Sequence, residues 1–154
     1  MKINKSERGQ SLVELAISLV VLLYLLSGVV EFGIAFFQFI QLRDAAQEGA
    51  LYGSINPYLD SNNNSAYDSG EPVNQAGVEA RVRGASSSPI DLSDSSKVTV
   101  EVIATDEPCV SNAITVNVSF THQIFMPFIP TLIGSSTIPL TGSVTDTILN
   151  PVCP

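Results

Sequence analysis

The feature that most constrains this chain is an apolar run close to its N-terminus. Residues 15–30 read LAISLVVLLYLLSGVV, where Ser18, Ser27 and Gly28 are the exceptions to apolar character. Built as a helix, these sixteen residues would span ~24 Å at about 1.5 Å each, a little short of a hydrocarbon core of ~30 Å. We therefore predict one membrane-spanning helix, with its transmembrane segment at about residues 12–37.

Basic residues on one side of this run indicate its orientation. Lys2, Lys5 and Arg8 precede the apolar residues, and positive charge is retained on the cytoplasmic side of a membrane. We expect a single-pass protein of the inner (cytoplasmic) membrane with a cytoplasmic N-terminus. The rest of the chain would then lie on the extracytoplasmic side.

Glu14 requires an explanation, because an ionisable side chain in a membrane-spanning segment costs a few kcal/mol. It lies five positions after Gly9. This arrangement resembles the processing site of type IV prepilins, which implies that a prepilin peptidase removes residues 1–9 and leaves Gln10 as the N-terminus. A secretory signal peptide would need small residues after the apolar run, and bulky aromatic residues follow it instead. A plain signal anchor is the alternative, but it needs neither Gly9 nor Glu14.

Beyond the membrane, the same helix is predicted to continue to Gly53 with an amphipathic pattern. Its apolar stripe consists of Phe32, Phe36, Phe39, Leu42, Ala46, Ala50 and Gly53. Its polar side consists of Gln38, Gln41, Asp44, Gln47 and Glu48. Apolar residues at every third or fourth position indicate a helix that buries one face, and we expect this stripe to join a protein core.

The remaining residues, 54–154, are predicted to form one extracytoplasmic sheet domain with a polar loop at 58–72. A short helix is expected at 73–85, and alternating apolar residues predict strands at 97–105 and 112–125. Residues 137–149 supply a last strand or pair, bent at Pro139 and Gly142. The expected fold class is α+β and pilin-like, with the long helix packed on a small antiparallel sheet of three or four strands.

The first third of the chain resembles the TadE-like pseudopilins of tight-adherence (Flp-type) pilus systems. The closest likeness is in VVEFG at residues 29–33 and DAAQEGALYG at residues 44–53. The resemblance implies a structural subunit of a type IV (Tad/Flp-like) filament used for adhesion or secretion, and not an enzyme. It implies as partners other pilin subunits, the prepilin peptidase, the membrane and the pilus assembly machinery. The polar insert at 58–71 departs from the family pattern, which leaves open a minor subunit or a pilin that forms the filament itself.

Two carboxylates are candidates for subunit assembly. Cleavage after Gly9 would free the α-amine of Gln10, the nearest plausible counter-charge for Glu14 in an apolar bundle. Glu31 falls near the outer membrane interface. It is interpreted either as a carboxylate at headgroup level or as a contact between subunits.

The polar loop carries a pattern typical of calcium binding. Its predicted oxygen ligands are Asp60, Asn62, Asn64, Asp68 and Glu71, with the Ala66 carbonyl. These are positions 1, 3, 5, 9, 12 and 7 of an EF-hand-type loop. Ser65 occupies the position where glycine is normal. An ordinary solvated loop has the same composition, so both interpretations remain open.

Cysteine content and charge limit the other functions of the outer domain. Cys109 and Cys153 lie on the predicted extracytoplasmic side, where a disulfide can form and would stabilise by about 3–4 kcal/mol. The net charge of −8 makes nucleic acid an unsuitable partner. His122 is the single histidine, and we interpret it as structural or solvent-facing.

One apolar connection, IFMPFIPTLIG at residues 124–134, has two possible interpretations: burial against the sheet or cover for a neighbouring subunit. The alternative function for the whole chain is a monomeric membrane-anchored module that binds calcium or a surface partner. A tether of that kind would retain residues 1–9, whereas a processed pilin would lose them.

Overall fold

The structure is a computed structural model that describes residues 5–64, 66–104 and 107–151, with side chains from residue 9 onward. Its elements in chain order are α1 Lys5–Ile55, α2 Gln75–Gly84, β1 Val98–Ala104, β2 Ala113–Gln123, α3 Ile129–Ile133 and β3 Thr137–Thr147. They form two compact units. The N-terminal unit comprises Met1–Ala35 and Gln123–Ile138, and the sheet unit comprises Phe36–His122 and Pro139–Pro154.

The sheet unit contains a three-stranded sheet in the order β1-β2-β3. β1 and β2 are antiparallel, with Val98 opposite Phe120 and Val102 opposite Val116. Between β2 and β3, hydroxyl contacts join Thr115 to Thr145 and Ser119 to Thr141, so these strands also run in opposite directions. The predicted small antiparallel sheet is confirmed.

Alternation along the strands separates a buried face from an exposed one, as predicted. In β2, the side chains of Ile114, Val116 and Val118 are fully buried. In β1, Val98 is fully buried, and the neighbouring Thr99 is exposed. A period of two is the expected signature of a strand with one face in the core.

The outer half of α1 packs on this sheet and on α2 through small residues. Ala46 and Ala50 are fully buried. A Cβ atom added at Gly49 would lie 2.5 Å from Val82 Cγ2, and one at Gly53 would lie 2.6 Å from Ile114 Cδ1. These positions therefore need glycine for close packing, and Ala46, Ala50 and Gly53 of the predicted stripe join the core as expected.

The prediction was wrong for the N-terminal part of the stripe. Phe32 and Phe36 are 70% and 51% exposed, because protein covers this stripe only from Phe39 onward. Gln38 and Gln41, assigned to the polar side, are both buried. Gln41 tolerates burial because its side-chain amide donates to Ile90 O at 2.7 Å and accepts from Ile90 N–H at 2.9 Å.

Element boundaries lie close to those predicted. α1 ends two residues later than expected, and α2 is shorter at both ends. The side-chain oxygen of Asn74 caps α2 by accepting a hydrogen bond from Gly77 N–H at 3.0 Å. Residues 137–147 form one strand rather than a pair.

In the N-terminal unit, the connection between β2 and β3 packs against α1. The rings of Tyr24 and Phe128 have centroids 4.7 Å apart. A Cβ atom at Gly28 would lie 3.9 Å from Ile129 Cδ1. Within the described residues, one helix is long and apolar enough to cross a membrane, with a mean hydropathy of 2.4 and none of its most apolar window buried.

Candidate functional site

The predicted processing residues lie on α1 in the N-terminal unit. Gly9, Gln10 and Glu14 belong to one helical stretch, and all three are exposed. Gln10 and Glu14 are four residues apart, so their side chains share a face of the helix. The cleavage of the Gly9–Gln10 bond stays a prediction.

The surroundings of Glu14 are apolar and open. Leu12, Val13, Leu15 and Ile17 are each at least 60% exposed. Among the described side chains, no ion pair joins Glu14 to a cation. The Glu14 carboxylate therefore lies on an apolar surface suited to contact with lipid or with another helix. An ionised group in such surroundings needs a partner.

Glu31 makes a contact within the N-terminal unit that the sequence pattern did not reveal. Its side chain is only 3% exposed. Its carboxyl oxygens accept hydrogen bonds from the backbone N–H groups of Phe125, at 3.2 Å, and Met126, at 3.0 Å. The carboxyl group therefore fixes the start of the β2–β3 connection to α1. A role for Glu31 in assembly stays a prediction.

The polar loop turns its predicted calcium ligands toward one another. Asp68 Oδ2 accepts hydrogen bonds from the side-chain amides of Asn62, at 2.6 Å, and Asn64, at 2.8 Å. Asp60 Oδ1 accepts one from Asn64 N–H at 3.2 Å. The Asn64 side-chain oxygen accepts another from Ala66 N–H at 2.7 Å. For calcium to bind here, both Asn amides would have to turn their oxygens toward the ion.

Glu71 closes the same loop from its far end. Its side chain is buried, and its two carboxyl oxygens accept hydrogen bonds from Ser61 N–H at 2.9 Å and Asp68 N–H at 3.1 Å. Leu59 N–H donates to Pro72 O at 2.9 Å, which joins the two ends of the loop. Ser65 lies outside the described residues.

The polar side chains of the loop therefore form hydrogen bonds with other groups of the same loop. Among the residues that the structure describes, no group of three or more His, Cys, Asp or Glu side chains is placed to hold a metal ion. A calcium site would depend on the asparagine and carbonyl oxygens together with the carboxylates. It stays a prediction.

The predicted disulfide involves one described cysteine. Cys109 is 9% exposed, whereas Cys153 lies outside the described residues. Val110, next to Cys109, donates its N–H to the carbonyl oxygen of Pro151, two positions before Cys153, at 2.8 Å. The Cys109–Cys153 disulfide stays a prediction.

Comparison with protein-family models identifies the N-terminal part of the chain. Residues 9–51 match the family model described as TadE-like protein, which confirms the predicted resemblance over that segment. Neither the search of curated proteins nor the search of solved structures found a match for the chain.

Proposed function

From the TadE-like segment at residues 9–51, we propose that this chain is a pilin-like structural subunit associated with a Tad pilus. It is processed after Gly9 and assembled into a filament for adhesion or secretion. The observation that carries the proposal is Glu14, five positions after Gly9, on an exposed apolar helix. Its partners are other pilin subunits, the prepilin peptidase, the membrane and the assembly machinery.

The exposed apolar surface of α1 suits two successive environments, the membrane before assembly and the filament core after it. None of the most apolar window of the helix is buried in the single chain. Before assembly, lipid covers that surface in the inner membrane, with the N-terminus cytoplasmic. After assembly, the helices of neighbouring subunits cover it in the core of the filament at the cell surface.

Glu14 acts in the assembled filament. Once residues 1–9 are removed, the new α-amine of Gln10 carries a positive charge. Within one chain it lies four positions from Glu14, and in a helix bundle it can also approach Glu14 of a neighbouring subunit. Removing one partner of a buried ion pair costs about 3–5 kcal/mol, because the other charge is left uncompensated. An amine without Glu14 would therefore oppose packing of the bundle.

The test compares Glu14→Ala with a matched change elsewhere. Glu101→Ala removes an exposed carboxylate from β1 and serves as the control. We expect Glu14→Ala to be inserted and cleaved normally but to enter filaments poorly, whereas Glu101→Ala should assemble like the wild type. Filament incorporation is measured in sheared surface fractions against the total processed chain. Normal incorporation of processed Glu14→Ala would refute the assembly role.

Glu31 is proposed as a second assembly residue. Glu31→Gln keeps an oxygen that can accept a hydrogen bond from the β2–β3 connection but removes the charge. A contact with a cation of another subunit would lower filament yield in this variant at unchanged processing. Wild-type yield would restrict Glu31 to its contact within the chain.

A second candidate is the monomeric membrane-anchored module that binds calcium or a surface partner. The observation that favours it is the polar loop, where Asp68 and Glu71 face inward. In that case α1 is only a tether, and residues 1–9 are retained. The length of the mature N-terminus therefore separates the two functions.

A further inference from the structure

Residues 124–134, here called the apolar tip, lie against the part of α1 that is apolar enough to cross a membrane. Phe128 packs on Tyr24, and Ile129 approaches Gly28. Both contacts lie within the apolar run at residues 15–30. If that run is in the bilayer, the side of the apolar tip that faces away from α1 is at the same depth.

Three side chains of the apolar tip are apolar and exposed. Phe125 is 67% exposed, Leu132 is 82% exposed and Ile133 is 52% exposed. No Asp, Glu, Lys or Arg occurs in the sequence between Glu107 and Asp146. A connection of this composition would lose free energy in water but gains it in hydrocarbon.

The backbone of the apolar tip is also suited to hydrocarbon, where every unpaired polar group costs several kcal/mol. Pro127 and Pro130 have no N–H group to satisfy. Ile124 N–H donates to Ser136 O at 3.0 Å, Ile129 N–H to Met126 O at 3.3 Å, and Gly134 N–H to Pro130 O at 2.9 Å.

The two N–H groups at the start of the tip are paired by α1 itself. Phe125 and Met126 donate to the carboxyl group of Glu31, which is buried by this contact. Thr131 Oγ1 donates to Phe128 O at 2.7 Å, so this hydroxyl is paired as well. Non-helical backbone at membrane depth is tolerated where protein packs against it, and these hydrogen bonds hold the start of the tip against α1.

We propose that the apolar tip inserts into the acyl-chain layer of the extracytoplasmic leaflet beside α1, with Glu31 as a positioning residue. The proposal rests on the membrane stage of the proposed function. Tyr24 lies seven residues before Glu31, so Phe128 reaches about 10 Å deeper along the helix than the Glu31 Cα. Lipid, not a second copy of the chain, covers the exposed side of the tip in the unassembled subunit.

The test uses tryptophan fluorescence, because the chain contains no Trp. Single variants of the full-length protein are placed in phosphatidylcholine vesicles whose acyl chains carry bromine at a known depth. Leu132→Trp probes the apolar tip, Leu22→Trp probes α1, and Leu59→Trp probes an exposed position of the sheet unit. All three leucines are more than 50% exposed, so each should accept the larger side chain.

We expect brominated lipid to quench Leu132→Trp and Leu22→Trp strongly and to leave Leu59→Trp almost unchanged. Quenching of Leu132→Trp should not change as the protein is diluted in lipid. Quenching no greater than for Leu59→Trp, with Leu22→Trp quenched, would overturn the proposal and leave the proposed function intact. If Leu22→Trp also escapes quenching, the membrane placement of α1 fails first.

Two further results are decisive. Quenching of Leu132→Trp that appears only on dilution would show that a second copy covers the tip, which overturns the assignment to lipid. Adding Glu31→Ala to Leu132→Trp should reduce quenching at least twofold, because two N–H groups lose their partner. Adding Glu31→Gln should restore most of it. Equal quenching in all three proteins would remove Glu31 as a positioning residue.

Discussion

Replacement of Gly142 by alanine tests how closely the backbone of β3 approaches α1. A Cβ atom at residue 142 would lie 2.6 Å from Arg43 N and 2.6 Å from the carbonyl carbon of Leu42. Both neighbours are backbone atoms of a helix, so they cannot move aside as a flexible side chain can. Gly142→Ala must therefore push the strand away from α1.

The size of the effect follows from two opposing contributions. Overpacking of a core costs about 1–3 kcal/mol, and backbone neighbours place this site at the upper end of that range. Loss of the conformational freedom of glycine in the unfolded chain returns up to ~1 kcal/mol. We expect a net destabilisation of about 2 kcal/mol, a large part of the ~5–15 kcal/mol of a typical domain.

Urea denaturation of the detergent-solubilised full chain, followed by near-UV circular dichroism, measures this loss. At a slope of about 1–3 kcal/mol/M, the midpoint for the sheet unit should fall by about 1 M. Gly84→Ala is the matched control, because a Cβ atom there meets nothing within 4 Å and the residue ends α2. The control should be neutral or stabilising by up to ~1 kcal/mol. Equal midpoints for Gly142→Ala and wild type would refute the close approach of β3 to α1.

Three further predictions concern the sheet unit. Millimolar calcium should raise the melting temperature of the wild type relative to chelator but not that of Asp60→Ala with Glu71→Gln, and no shift in the wild type would remove the calcium site. Cys109→Ser and Cys153→Ser should each lower the free energy of unfolding by about 3–4 kcal/mol. Each should also abolish the change in electrophoretic mobility that reduction causes in the wild type. A wild type that shows no such change has no disulfide. Hydrogen bonds from Lys97 and Ser96 lower the pKa of the Asp94 carboxyl from 3.8 to about 2. The stability that Asp94 contributes is therefore complete above pH 3.8 and lost as the pH falls towards 2, so Asp94→Asn should lose less stability over that interval, and an equal loss would contradict this reasoning.

Periodic patterns in the sequence were sufficient for the main elements of the fold. The run at residues 15–30 predicted a helix, and the alternation of Ile114, Val116 and Val118 predicted both a strand and its buried face. These patterns are local, because each depends only on the residues of one helix or strand. The end of the stripe, at Ala46, Ala50 and Gly53, joins the core as its periodicity predicted.

Errors arose where residues distant in sequence decide the environment. Gln41 was assigned to the polar side of α1, but its amide donates to Ile90 O at 2.7 Å and accepts from Ile90 N–H at 2.9 Å, across 49 positions of sequence. Phe32 was assigned to the core because an aromatic residue facing lipid and one facing protein give the same pattern. The pairing of Glu31 with Phe125 spans 94 positions and has no local signal.

The candidate sites divide in the same way. Gly9 and Glu14 are recognised by their spacing alone, so the sequence is sufficient to nominate them. The calcium loop also has a sequence spacing, but its function depends on which atoms of Asn62 and Asn64 face inward. In the structure their amide N–H groups do so, toward Asp68, which no spacing predicts.

The mass of the mature chain tests the central claim most directly. The full-length protein is expressed with and without a prepilin peptidase, purified from membranes, and measured by intact mass spectrometry with N-terminal sequencing. A processed pilin-like subunit should begin at Gln10 only when the peptidase is present, and Gly9→Leu should retain all nine leader residues under both conditions. A wild-type chain that keeps Met1 to Gly9 in the presence of an active peptidase would contradict the account and favour the membrane-anchored module.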